Sequence, residues 1–281
     1  MPAETQLLDV GWSGLALAAG LVLAAAGIAR WQELGLEGRY LLGGLRAFVQ
    51  LSLVGYALVY VFHAERWWLV LLVLGVMLAA AARAASGGRG SSAERARGVR
   101  MKRLWPVNAS ALTIGSGFTL FYVTQVVLRV SPWYEPRYLI PLFGMIVGNA
   151  MNGAALAAER LDAEMQRERR TVEAYLALGA TPARASAELV RRALTASAIP
   201  SINGLMVVGL VQLPGMMTGQ ILAGASPTIA VRYQVVVAFM LAFATALTSV
   251  IVVLWRRRAF FTAAQQLVDE TSGAGASAPR R

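Results

Sequence analysis

Long stretches with almost no charge alternate along this chain with short polar or basic ones. Apolar runs at 11–29, 40–62, 67–82, 104–128, 138–158 and 232–254 have lengths near that of a bilayer-spanning helix, about 20 residues for a hydrocarbon core of ~30 Å. The run 193–231 is charge-free for thirty-nine residues. That is more than one span needs, so it reads as an elbow up to Pro200, a further span to about Ala223 and an outer loop at 224–228. The longest polar interruption, 159–192, holds six acidic and seven basic residues. Within it Leu161, Met165, Val172, Tyr175 and Leu176 recur at roughly helical spacing, while Glu164, Arg167, Glu168 and Arg170 occupy the other faces. Gly179 has the place of a C-cap, Thr181 that of an N-cap, and Pro182 suits the first position of a second helix. The pattern predicts an all-α, polytopic membrane protein of about seven transmembrane helices, with a helix-turn-helix insert between spans five and six.

Charge gives this topology a direction. With the N-terminus outside and the C-terminus cytoplasmic, the inner segments 30–46, 83–103, 159–192 and the C-terminal tail hold 22 of the 26 basic residues. That asymmetry is the positive-inside bias, and it places the insert in the cytoplasm. Composition agrees: 57% of residues are hydrophobic and 15% charged, against roughly 25% charged in soluble domains. A net charge of +11 would suggest nucleic acid in a soluble protein, but here the loops account for it. The basic stripe 95–103 follows a span without interleaved aromatics and suits anionic membrane lipid, so lipid is an expected partner and nucleic acid is not. No basic residue precedes the first span, which argues against a cleaved signal peptide. Residues 1–258 thus read as one permease domain, and 259–281 as a cytoplasmic tail, disordered at its Gly/Ala/Ser/Pro end.

Several kinds of chemistry are excluded. The chain has no cysteine and one histidine, His63, which rules out disulfides, thiolate metal sites and His-based triads. Its one lysine, Lys102, follows Met101, so no Gly-Lys-Ser/Thr phosphate loop exists; an enzyme that hydrolyses ATP, with its cofactors ATP and Mg, would have to be another subunit. What remains is polarity inside the spans, which is costly unless partnered or facing a cavity. Arg46 and Gln50 share a face of the second span. Asn149 and Asn152 lie beside Gly144 and Gly148 in the fifth, where small residues let another helix approach. In the sixth, Gln212 precedes Pro214, Gly215, Met216, Met217, Thr218 and Gln220; Pro214 cannot donate to Leu210, and interrupted backbone at membrane depth must be buried in protein or line a water-filled cavity. These residues are the candidate translocation path, and no metal ligand set can be assigned among them. No acidic residue lies in a span interior, which counts against an autonomous proton- or sodium-coupled transporter or channel.

The sequences Gly144-Met-Ile-Val-Gly-Asn-Ala-Met-Asn152, Leu178-Gly-Ala-Thr181 and Leu213-Pro-Gly-Met-Met-Thr-Gly-Gln220, with Tyr233-Gln234, Arg46, Gln50-Leu51 and Gly55, resemble the membrane subunit of Fet-type ABC transporters. These are bacterial iron-export permeases with plant relatives in aluminium tolerance. The match runs from about Arg46 to Leu254. The insert is also similar to the cytoplasmic EAA-type loop of ABC importers at Glu173, Ala174 and Gly179, but departs from it at Tyr175. The resemblance implies that Glu173, Ala174, Leu178, Gly179, Ala180 and Thr181 couple to a separate ABC ATP-binding subunit. It further implies a permease homodimer in the cytoplasmic (inner) membrane of a bacterium, exporting iron or a related metal species. A nucleotide sugar or other organic solute is the alternative cargo.

Overall fold

The apolar runs form helices because a helix satisfies its backbone N–H and C=O groups within one segment, as a lipid environment demands. The computed structural model describes residues 11–64, 66–86, 98–262 and 264–268; the stripe at 95–97 and the tail beyond 268 lie outside these. Its helices are α1 (Trp12–Trp31), α2 (Glu37–Ala64), α3 (Trp67–Ser86), α4 (Gly98–Phe121), α5 (Pro136–Arg167), α6 (Arg169–Ala177), α7 (Pro182–Ala185), α8 (Ala187–Val207), α9 (Gly215–Leu222) and α10 (Pro227–Arg258). A π-helical turn, Tyr122–Val127, continues α4. Among the described residues six helices, α1 to α5 and α10, are long and apolar enough to cross a membrane.

The chain divides into two units, one built on α1 and α2 together with Leu222–Gly224, the other holding the remainder. In the first, α1 and α2 form a helical hairpin whose turn uses Glu33 and Gly35 at positive φ. Gly44 lets the two helices meet: a Cβ there would lie 2.9 Å from Val22 Cγ1. In the second unit α5 and α10 are the central pair. Each has 32 residues, about 48 Å of helix against a ~30 Å hydrocarbon core, so both extend well past the apolar layer. α5 packs against α3, α4, α8 and α10, and α10 also against α4 and α8. Two glycines permit the closest approaches. A Cβ on Gly153 would sit 2.3 Å from Thr245 Cγ2, and one on Gly115 would sit 2.1 Å from Thr248 Oγ1.

The segment read as an elbow followed by a sixth span is arranged differently. Pro200 lies inside α8, which continues seven residues beyond it. The interruption comes later, at 208–214, where Gly209 takes φ +87 and its N–H donates to Gln212 O at 2.9 Å. That local loop satisfies backbone groups the helix gives up, and α9 then starts directly after Pro214, whose missing N–H suits a helix start. α10 begins at Pro227, earlier than its charge pattern suggests, because Ser226 caps it: Ile229 N donates to Ser226 Oγ at 3.4 Å.

Candidate functional site

The polar insert is a packed structure rather than a loop. Leu161 and Met165 on α5, Val172 on α6, Ala185 on α7, Leu189, Val190 and Ala193 on α8, and Val253 on α10 form one buried cluster. α6 is held by Val172, buried, and Leu176, partly buried, which face that cluster. Its other side carries Glu173, Ala174 and Tyr175, all exposed. At its end Leu178 is 85% exposed and Tyr175 52%, so two large apolar side chains project outward from an otherwise anchored helix.

The turn after α6 is set by backbone chemistry. Gly179 adopts φ +86; its N–H donates to Leu176 O at 3.0 Å, and Ala180 N–H donates to Tyr175 O at 2.9 Å. This is a Schellman arrangement, in which a left-handed residue closes the helix. Thr181 then caps α7, accepting from Arg184 N at 3.4 Å, with Pro182 at the first helical position. The structure thus brings Glu173, Ala174, Leu178, Gly179, Ala180 and Thr181 into one continuous helix and turn.

The base of the insert carries an ionic assembly between α5, α8 and α10. The Glu164 carboxylate, 2% exposed by residue, receives Arg160 Nη2 at 2.8 Å and Arg192 Nη1 at 3.3 Å. Arg192 Nε also pairs with Glu188 at 3.1 Å. Hydrogen bonds to Glu164 first and Glu188 second hold the Arg192 guanidinium above its ordinary range. Asp162 on α5 takes a two-pronged pair from Arg256 on α10, with Nε to Oδ1 at 2.7 Å. α5 is therefore tied by charge to both α8 and α10. The residue pattern carries an abundance of charge here but does not say which groups face inward, since Glu164 and Arg192 are 28 residues apart.

The membrane candidates are more dispersed. Arg46 and Gln50 lie exposed on α2, in the first unit. Asn149 and Asn152 lie on the exposed face of α5, and Asn149 Nδ2 donates to Met145 O of its own helix at 2.9 Å. Of the neighbouring glycines, Gly144 meets Met77 Cε (3.0 Å from an added Cβ), whereas Gly148 has nothing within 4 Å. Gln212 is exposed in the interrupted segment; Pro214, Met216, Met217, Thr218 and Gln220 are half-buried. Thr218 Oγ1 donates to Gly215 O at 2.9 Å. Three buried oxygens among the motif residues, Gln220 Oε1, Tyr233 Oη and Gln234 Oε1, have no hydrogen-bond partner. Among the described residues no group of three His, Cys, Asp or Glu is placed to hold a metal.

Fold and insert together define a polytopic, all-α membrane protein with a packed helix-turn-helix in its charged insert. The chain belongs to the uncharacterised protein family UPF0014, whose model matches residues 12–261. It is 40% identical to a UPF0014 membrane protein of Synechocystis, over 94% of this chain and 99% of that one. It is 37% identical to the probable iron export permease protein FetB of Escherichia coli, over 90% and 93% of the two chains. With the protein ALUMINUM SENSITIVE 3 of Arabidopsis thaliana it shares 36% identity, over 88% and 86%. No solved structure matches the chain significantly.

Proposed function

We propose that this chain is the membrane-spanning permease subunit of an ABC transporter, oriented with its C-terminus in the cytoplasm of a bacterium and working as a homodimer with a separate ATP-binding subunit. ATP and Mg would be bound and consumed on that partner. The observation that carries this reading is the turn at the end of α6. An anchored helix presenting Tyr175 and Leu178 to water, closed by a left-handed glycine, is suited to enter a groove on another protein, where a few buried apolar anchors carry most of the binding energy. Val172 and Leu176 fasten it to the buried cluster shared with α5 and α8, and the Glu164–Arg192 pair ties α5 to α8, so a push on the turn is delivered to those helices rather than absorbed by a loop. α8 leads directly into the interrupted segment 208–214 and then α9, where Gln212 and Pro214 of the segment and Met216, Met217, Thr218 and Gln220 of α9 would gate or line the route with Asn149 and Asn152.

Iron, or a related metal species, is the cargo supported by the Escherichia coli relative's name.

The docking reading is tested by co-expression and co-purification with a candidate ABC ATP-binding subunit. Leu178→Asp is expected to weaken capture of the ATPase at least tenfold, which is about 1.4 kcal/mol, without altering yield or thermal stability, since the side chain has almost no internal contact. Capture unchanged by Leu178→Asp would remove Leu178 from the interface.

A further inference from the structure

The chain after α10 does not run away from the bundle. Phe260 is buried and Phe261 and Leu267 are partly buried, all three packed on the cluster that anchors α6. The backbone folds back on itself there: Thr262 N donates to Gln266 O at 2.8 Å, Val268 N donates to Phe260 O at 2.9 Å, and Phe261 pairs with Leu267 in an antiparallel bridge. A cavity of about 590 Å³ separates this hairpin from α6, with Glu173, Ala177, Gly179 and Ala180 on one wall and Gln265 and Gln266 on the other. Arg169 spans the two sides. Its Nε donates to Glu173 Oε1 at 2.8 Å and its Nη1 to Val268 O at 3.4 Å.

We infer that the hairpin formed by residues 260–262 and 264–268 is a brace that sets the position of the coupling helix α6, with Arg169 as the positioning residue that joins the two. The inference rests on the proposed coupling role of α6 for its functional consequence, but the brace itself is a property of this chain. Three features require it. α6 has only nine residues, too few to be stable alone, so its orientation comes from what it packs against. Val172 seats one side of it in the cluster shared with α5 and α8, and Phe261 and Leu267 of the hairpin pack against that same cluster. Glu173, the residue carried over from the coupling motif, is committed to Arg169 rather than free, and Arg169 in turn reads the end of the hairpin through its carbonyl. Without the hairpin, α6 keeps its exposed anchors but loses the contact that fixes their angle.

Two measurements on the full membrane protein test this. Hydrogen exchange of the purified permease alone compares wild type with a truncation after Arg258 and a truncation after Val268. The amides of α6 are expected to exchange at least tenfold faster in the first truncation and unchanged in the second, with α10 amides unaffected in both. Equal α6 exchange in wild type and the Arg258 truncation would overturn the brace whether or not an ATPase binds. The second measurement, in vesicles with the ATPase, reads cargo moved per ATP hydrolysed. Truncation after Arg258 should lower that ratio at least tenfold while ATPase capture changes less than threefold. Arg169→Ala should lower it in the same direction, and Arg169→Lys, which retains a cation for Glu173, should recover part. A loss of capture in proportion to the loss of transport would show a docking role instead and overturn positioning. If wild type itself captured no ATPase, the ABC reading would fail while the exchange result still decided the brace.

Discussion

Replacing Gly179 with valine should uncouple the ATPase from transport while leaving the membrane helices inserted. An added Cβ would meet nothing within 4 Å, so the substitution creates no clash. The whole effect comes from backbone conformation. Gly179 stands at φ +86, where a side chain costs roughly 1–2 kcal/mol and a β-branched one more. Relief requires the turn to leave the left-handed region, which breaks the bonds from Gly179 N to Leu176 O and from Ala180 N to Tyr175 O and redirects Leu178. Cargo moved per ATP should fall at least tenfold, with thermal stability of the bundle little changed because the site is exposed. Gly179→Asn should retain more activity, since asparagine tolerates this conformation. Wild-type transport per ATP in the valine variant would show that the angle of the turn is not transmitted.

The second large effect is expected at Gly153, and its signature is the reverse: loss of stability rather than of coupling. A Cβ here would lie 2.3 Å from Thr245 Cγ2 and 3.2 Å from Ser249 Oγ, so α5 and α10, the central pair, must separate to admit it. Overpacking of this kind costs typically about 1–3 kcal/mol. Gly153→Val should therefore lower the thermal midpoint of the purified protein by about 2–4 °C for each kcal/mol lost. Gly148→Ala, on the same helix with nothing within 4 Å, should leave the midpoint unchanged or slightly raised. Because the nearest obstacle is one methyl group, Thr245→Ser should restore part of the stability of Gly153→Ala, a coupling readable in a double-mutant cycle. Equal midpoints for the Gly148 and Gly153 variants would contradict the packing described.

These two glycines also mark what sequence conveys and what it withholds. Gly179, Thr181 and Pro182 act through their own neighbours in the chain, so a helix end, a cap and a restart are written locally and are legible from the residues themselves. The spans are legible for the same reason, since lipid imposes a length and a polarity on each. The pairing of Gly153 with Thr245 is not local, and nothing in the spacing of Gly144 and Gly148 distinguishes it. Glu164 is one charge among thirteen in the insert; only the approach of Arg160 and Arg192 makes it the buried one. Pro214 is legible as a breaker, but the extent of the interruption depends on Gly209, six residues from the helix restart it prepares. Phe260, Phe261 and Leu267 read as the start of a tail because their apolar surface has meaning only once α6 and its cluster supply the opposing face.

The central claim is that this chain moves cargo by taking up work done on a separate ATPase. The most direct measurement is flux into inside-out vesicles holding the permease with its ATPase, the permease alone, or the ATPase alone. Iron presented as free ion, iron as an anionic chelate and a nucleotide sugar are compared with and without Mg-ATP. The account predicts accumulation of at least one of these cargoes only when both subunits and Mg-ATP are present, abolished by Gly179→Val. Equal flux through the permease alone, without ATP, would contradict it and make the chain an autonomous channel.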